Sequence, residues 1–277
     1  MKKGLLSQTR KARSGHAARS VFCRCRSAGA AEPTDGQDAS NVVWVYAVTT
    51  EVETDQLSGV TGVAGEPVRA VTEAGLSAVV GTVGDTGHGD RPLTRLLVGL
   101  TAIETAGRAH HQVIASLAED NPVLPVRLAT VYPDDGTIRR QLAERRAELA
   151  VMVESFRGTQ EWGVKVYVDP YGQPAGPRAP DVLPSLEPLW LQAEACAEEI
   201  GQALSDIAVA TRRRPSPDPR FGADSGWLVL NGAYLLETER ADEFAEIVAS
   251  VIDDHAALRA DVTGPWPPYS FAAGDGL

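Results

Sequence analysis

Cysteine is scarce in this chain of 277 residues: Cys23, Cys25 and Cys196 are the only three. Two of them share one N-terminal stretch. That is no disulfide framework, and a reducing cytoplasm is the expected compartment. Long hydrophobic runs are missing too. No stretch reaches the ~20 apolar residues of a membrane span, so a soluble protein with no membrane partner is expected. Positive charge is in deficit, with 26 Lys and Arg against 37 Asp and Glu and a net charge of −11. Nucleic-acid affinity depends on phosphate neutralisation by Lys and Arg, so no nucleic-acid partner is expected. The glycines of GVTGVAG (Gly59–Gly65) lack a following GK[ST] and a helix, and read as a flexible connection rather than a phosphate loop. HExxH and GxSxG are absent as well.

Other chemical lures carry equally little. Cys23-Arg24-Cys25 has no second ligand pair nearby, which argues against zinc. Asp85-Thr86-Gly87 and Asp224-Ser225-Gly226 match the two triplets of a pepsin-type protease, whose carboxylates share one proton. Asp85 lies in a Gly-rich loop and Asp224 follows a Pro-rich linker, so a hydrolase using Asp85 and Asp224 is only the alternative reading. His110 and His111 are adjacent, about 100° apart on a helix, and cannot chelate one metal. His110 falls on an apolar stripe and reads as a hydrogen-bonded core histidine. His88, near Asp85 and Asp90, is a weak metal candidate at best. Cys196 sits within a helix without a catalytic partner. The expectation is a protein that is not an enzyme, with no catalytic residues, no cofactor and no metal.

At 43% hydrophobic, the chain has apolar material for one large or two ordinary domains. Residues 1–40 stand apart. Lys2, Lys3, Arg10, Lys11, Arg13, Arg19, Arg24 and Arg26 face only Glu32, Asp35 and Asp38, and long apolar residues are few. A disordered basic extension is the preferred reading, as a misplaced translation start would produce. A transit peptide or an anion-binding arm stays open.

Order begins with the buried-strand run VVWVYAV (Val42–Val48). PVRAV (Pro67–Val71) and LSAVVGTV (Leu76–Val83) read as a hairpin around Glu73-Ala74-Gly75. Apolar residues at helical spacing predict a helix from about Leu93 to Leu117, stopped by Asp120-Asn121-Pro122. PVLPVRLATVY (Pro122–Tyr132) reads as a strand interrupted at Pro125, hence an edge or a bulge. A charged helix is predicted from roughly Thr137 to Phe156, then a strand at Glu161–Val168. A Pro/Gly-rich linker (Pro170–Pro184) precedes a long helix closed by Arg212-Arg213-Arg214. Trp227–Leu236 is a strand, Asp242–Leu258 a helix, and Ala260–Thr263 a short last strand. This order predicts an α+β protein of two domains, 41–132 and 133–277, with helices on antiparallel or mixed sheets and a ferredoxin-like C-terminal domain.

The most unusual segments form an ordered set. They are His110-x-x-Val113, PVLPVR (Pro122–Arg127) with Thr130-Val131-Tyr132, EWGVKV (Glu161–Val166), NGAYLL (Asn231–Leu236) and GPWPPYSF (Gly264–Phe271). In this order and at these spacings the chain resembles the gas vesicle protein family GvpF/GvpL from about Val42 to Phe271. One departure is RLATVY, where the family usually shows Arg-Phe-Gly-Thr-Val-Phe. The resemblance implies a two-domain α+β fold with a modified ferredoxin-like C-terminal domain. It also implies a non-enzymatic accessory role in gas vesicle assembly, in the cytoplasm or at the vesicle. The implied partners are the hydrophobic main shell protein GvpA and other accessory gas vesicle proteins. A protein-binding scaffold repurposed for another partner remains a further alternative.

The candidate partner-interface residues are Pro122, Pro125, Arg127, Trp266, Pro267, Pro268, Tyr269 and Phe271. The prolines fix φ and lower the entropy cost of docking. Trp266, Tyr269 and Phe271 supply the area of interface anchors. Two readings of Gly264–Phe271 stay open: a clamp on the protein's own C-terminal domain, or a direct partner contact. Trp162 reads as core and Lys165 as a satisfied charge.

Overall fold

The apolar run from Val42 becomes the central strand of a sheet that is covered on both faces. In the computed structural model, residues 41–50, 52, 54–84, 96–168, 187–215, 226–253 and 258–272 are described. The strands of this first sheet are β1 (Val42–Thr50), β2 (Val68–Glu73), β3 (Leu76–Val83), β4 (Val123–Pro125) and β5 (Val131–Tyr132). Their order is β2-β3-β1-β4, with β5 also paired to β1, and every pairing is antiparallel.

A strand buried on one face alternates apolar with polar residues; β1 does not, because helices cover both of its faces. Trp44, Tyr46 and Ala47 pack with α1 (Leu100–Ala118) through Ala106, Val113, Ile114 and Leu117. Val43, Val45 and Val48 face α2 (Asp135–Glu144) and α3 (Arg146–Ser155) through Ile138, Leu142, Leu149 and Val153. A register shift between Val45 and Ala47 lets both Tyr46 and Ala47 face α1.

The charged helix predicted over Thr137–Phe156 is two helices that meet at Arg145, where φ is −104° and ψ 14°. Asp134 caps α2, its Oδ1 accepting the Thr137 N–H at 2.7 Å. That N–H, which favours the charged form, holds the Asp134 carboxyl below its usual range. The Arg69 guanidinium clamps both Asp135 oxygens at 2.8 Å and ties β2 to α2.

The second sheet is built from β6 (Thr159–Val168), β7 (Ala210–Arg213), β8 (Trp227–Glu237) and β9 (Leu258–Trp266) in the order β7-β8-β6-β9, all antiparallel. Helices α4 (Glu187–Ile207) and α5 (Ala241–Asp253) intervene, so the chain runs β-α-β-β-α-β. Both cover one face, burying Val164, Val166, Leu230, Tyr234 and Leu236 against Ile200, Leu204, Phe244 and Val248. The fold is α+β, as the order of elements predicts. Three details differ. Arg212 and Arg213 do not close a helix: α4 stops at Ile207, and the Val209 N–H bonds the Leu235 carbonyl at 2.8 Å, starting a strand. β9 runs from Leu258 to Trp266, longer than Ala260–Thr263, and takes Leu258 from the helix expected over Asp242–Leu258, which ends at Asp253. The first long helix begins at Leu100, just after Gly99 at φ +89°. Residues 1–40 and the Pro170–Pro184 linker lie outside the described residues.

Candidate interaction surface

The segment after α1 sits where its prolines allow. β4 ends the strand order beside β1, a place where Pro125, with no N–H, costs no ladder bond. Pro125 pairs with Ala47, and the Pro122 carbonyl accepts the Thr49 hydroxyl at 2.8 Å. Pro122 and Pro125 are buried, while Arg127 is exposed. Between β4 and β5 the chain turns through Ala129 at φ +68°, a left-handed conformation that a Cβ disfavours. This is the position of glycine in the family pattern Arg-Phe-Gly-Thr-Val-Phe.

The C-terminal segment docks on its own chain. Glu161 of β6 pairs with Trp266 and Gly163 with Thr263, so Gly264 and Pro265 together stand opposite the single residue Trp162, one residue more in β9 than in β6. This bulge re-aims the chain. Gly264 has φ +138°, and a Cβ there would lie 2.9 Å from the Glu161 carbonyl oxygen and 3.1 Å from the Trp162 ring. Only glycine fits. Pro267 and Pro268 are buried, and the Phe271 and Ala272 N–H groups bond the Pro268 carbonyl at 3.1 and 2.9 Å. Phe271 packs on the core between the first sheet, α2 and α3.

A buried carboxylate fastens the turn. Glu161 is 7% exposed. Its Oε2 accepts the Ser270 N–H at 2.7 Å and its Oε1 the Ser270 hydroxyl at 2.6 Å. Arg214 donates to the same Ser270 Oγ at 3.1 Å. From α1, the His111 ring lies 5.3 Å from Trp266 and 5.9 Å from Tyr269. His111 Nδ1 and the Tyr269 hydroxyl share a 2.7 Å hydrogen bond. Burial of the hydroxyl end, and secondarily the Glu161 charge, push the Tyr269 phenol up, so it stays protonated. The result is a clasp joining α1 to the second sheet. Its outer surface still shows Trp266 at 40% and Tyr269 at 37% exposure.

Motif reasoning named Trp266, Pro267, Pro268, Tyr269 and Phe271 but not the residues that hold them: Glu161, Ser270, Arg214 and His111. The one signal was Glu161 itself, an acidic residue at the head of an apolar strand run. His110 is the core histidine its position predicts, 5% exposed. Trp44 Nε1–H donates to its Nδ1 at 3.0 Å, and its Nε2 bonds the Val126 carbonyl at 2.9 Å. The Gly59–Gly65 stretch is not a loose connection. The Glu66 carboxylate lies over Gly62 and Gly81, bonding the Tyr46 hydroxyl at 2.6 Å and the Ala64 N–H at 2.7 Å. Gly62 of the loop and Gly81 of β3 make room for the protein's own carboxylate. Lys165, expected as a satisfied charge, is exposed with no carboxylate partner among the described residues. Asp85, His88, Asp90 and Asp224 lie outside the described residues.

Comparison with known proteins gives one consistent result. The family model "Gas vesicle synthesis protein GvpL/GvpF" matches residues 42–179 and 186–273. Gas vesicle protein L of Streptomyces sp. (strain CB03234) is 35% identical over 247 residues, covering 83% of this chain and 92% of that protein. Gas vesicle protein F1 of Halobacterium salinarum is 27% identical, covering 76% of this chain and 84% of its own length. The crystal structure of GvpF from Anabaena sp. PCC7120 superposes with a TM-score of 0.66 at 16% identity, over 85% of this chain and 98% of that one. GvpF from Microcystis aeruginosa gives 0.58 at 18%, over 84% and 99%. At such identities the two structures establish the shared fold, while the family match and the Streptomyces relative establish descent. No helix among the described residues is long and apolar enough to cross a membrane. The chain belongs to the GvpL/GvpF family of gas vesicle proteins.

Proposed function

We propose that this protein acts in gas vesicle assembly by binding the hydrophobic main shell protein GvpA, as a chaperone-like factor or minor shell component, without bond chemistry of its own. Other accessory gas vesicle proteins are further partners, and the cytoplasm and the vesicle are its places of work. The observation that carries this reading is the clasp. Trp266 and Tyr269 keep more than a third of their surface in solvent although His111, Glu161 and the buried Pro267 and Pro268 hold them still. Aromatic rings fixed in advance lose little entropy when a partner covers them. Phe271 anchors the clasp from beneath. On the first sheet, Pro122 and Pro125 hold a strand edge with Arg127 at its rim. A sheet-forming shell subunit has unpaired strand edges before assembly, and such an edge is a natural docking point for it. We also read the β-α-β-β-α-β half, ordered β7-β8-β6-β9, as the modified ferredoxin-like arrangement.

The test is retention of GvpA on the immobilised full chain, comparing wild type with Trp266→Ala/Tyr269→Ala. Each truncated anchor costs about 2 kcal/mol at a hot spot, about thirtyfold in affinity. Equal retention by a double variant with an unchanged melting curve overturns the assignment of this surface.

A further inference from the structure

The two sides of the second sheet carry opposite charge. Helices α4 and α5 contain no Lys or Arg, and their outer surface exposes Glu194, Glu198, Glu199, Asp242, Glu243 and Glu246. The other face of the sheet is basic. Strand alternation turns Val164 and Val166 to the helices and Gly163, Lys165 and Tyr167 away from them. In the register, Gly163 lies beside Ala233, which lies beside Arg212; the next row sets Lys165 beside Asn231. Arg214 extends the edge, its N–H bonding the Asn231 carbonyl at 2.8 Å.

Lys165, Arg212 and Arg214 are all exposed, and none has a carboxylate partner among the described residues. Arg212 stands over Phe271 at 5.9 Å, and Arg214 bonds the Ser270 hydroxyl. Asp261 beside Lys165 is taken by Arg259 at 2.5 Å, and Glu161 by Ser270. Between Arg212 and Lys165 the sheet carries only small groups: Ala233, itself buried, and Gly163, over which the Thr263 hydroxyl sits. A chain −11 overall thus gathers on one face three cations that form no ion pair with a carboxylate among the described residues.

We propose that this face binds an acidic peptide segment of a partner protein. From Gly163 to Tyr167 the face runs about 13 Å, and its four strands span about 15–20 Å, roughly 200–300 Å² in all. A stable contact between folded proteins needs about 800 Å² per partner, so a second copy's acidic helix layer is too broad an occupant. A single extended strand fits, with carboxylates on alternate residues ~7 Å apart reaching Lys165 on one side and Arg212 and Arg214 on the other. A long nucleic acid would extend onto the acidic surfaces. A short segment meets mainly the local cations, since charges beyond ~10 Å are screened at moderate salt. This proposal does not depend on the shell-protein reading, and its variants leave Trp266 and Tyr269 in place.

The experiment is fluorescence anisotropy of the full chain with a short labelled Glu-Ala repeat peptide, a Lys-Ala repeat and an oligouridylate as comparison probes. Saturable binding of the Glu-Ala peptide is expected, weakened about tenfold between about 50 and about 300 mM salt. Lys165→Glu, whose side chain engages nothing described, should weaken it about threefold, and Lys165→Glu/Arg212→Glu more than about tenfold. Arg139→Glu/Arg140→Glu, with the same charge change on α2, should leave it unchanged. Melting curves check folding. Absence of saturable binding, equal loss in the α2 variant, or tighter binding of the oligouridylate overturns the proposal. So does sedimentation showing that the basic face engages only another copy of the chain.

Discussion

Replacing His110 by leucine tests the central packing of the first sheet. Trp44 Nε1–H can only donate and the Val126 carbonyl can only accept, so His110 must be neutral with its proton on Nε2. Leucine keeps most of the apolar volume and removes both partners. Each orphaned buried group costs about 1–3 kcal/mol, so the variant should lose about 2–6 kcal/mol. That is a large share of a domain's ~5–15 kcal/mol. Burial disfavours the charged ring and lowers its pKa in the folded protein, with a smaller contribution from His111, against the opposing pull of the Val126 carbonyl. The unfolded chain therefore binds the proton more readily. Stability from this site is complete above the unfolded value of about 6.5 and falls as pH drops, by up to about 1.4 kcal/mol per unit, until the folded value is reached. Protonation would also aim an Nδ1–H at the Trp44 N–H. Urea titration followed by tryptophan fluorescence at pH 7.5 and 5.5 measures both effects. The exposed ion pairs Glu148–Arg145, Glu154–Arg157 and Glu243–Arg240 have carboxyls held down by their arginines and titrate below this window. Wild type should lose stability between the two pH values, and His110→Leu markedly less. A variant within about 1 kcal/mol of wild type at pH 7.5, or an unchanged pH dependence, would refute the reasoning.

Two further outcomes follow from backbone and clasp. Ala129→Gly should raise stability by about 0.5–1 kcal/mol, because relief of the left-handed Cβ contact exceeds the extra entropy of an unfolded glycine; a lower melting temperature would contradict the +68° geometry. Glu161→Leu removes both acceptors of the Ser270 N–H and hydroxyl, costing about 1–3 kcal/mol. Hydrogen exchange at Ser270–Ala272 should then speed up while α1 stays protected; unchanged exchange would mean that the carboxylate does not secure the clasp.

The elements were legible where apolar patterning is strong. VVWVYAV announced a buried strand, and the stripe through His110, Val113 and Leu117 announced α1. The break at Arg145 and the strand character of Arg212 and Arg213 were not legible. Both are decided by pairing: Val209 bonds Leu235, far along the chain, and no local propensity records that. The motif of rigid prolines and aromatics marked the candidate surface, yet its support from Glu161 and His111 comes from residues 109 and 158 positions away from their partners.

By itself, the amino-acid order determined the family, the α+β class and most strands and helices, because those depend on local periodicity and on short segments at fixed spacings. Tertiary structure alone decided that the C-terminal segment is a clasp, that Glu66 fills its own glycine loop, and that Lys165, Arg212 and Arg214 share one open face. Side chains remote in the chain meet only through sheet register, and a register is an energy minimum of the whole packed molecule rather than of any stretch of it.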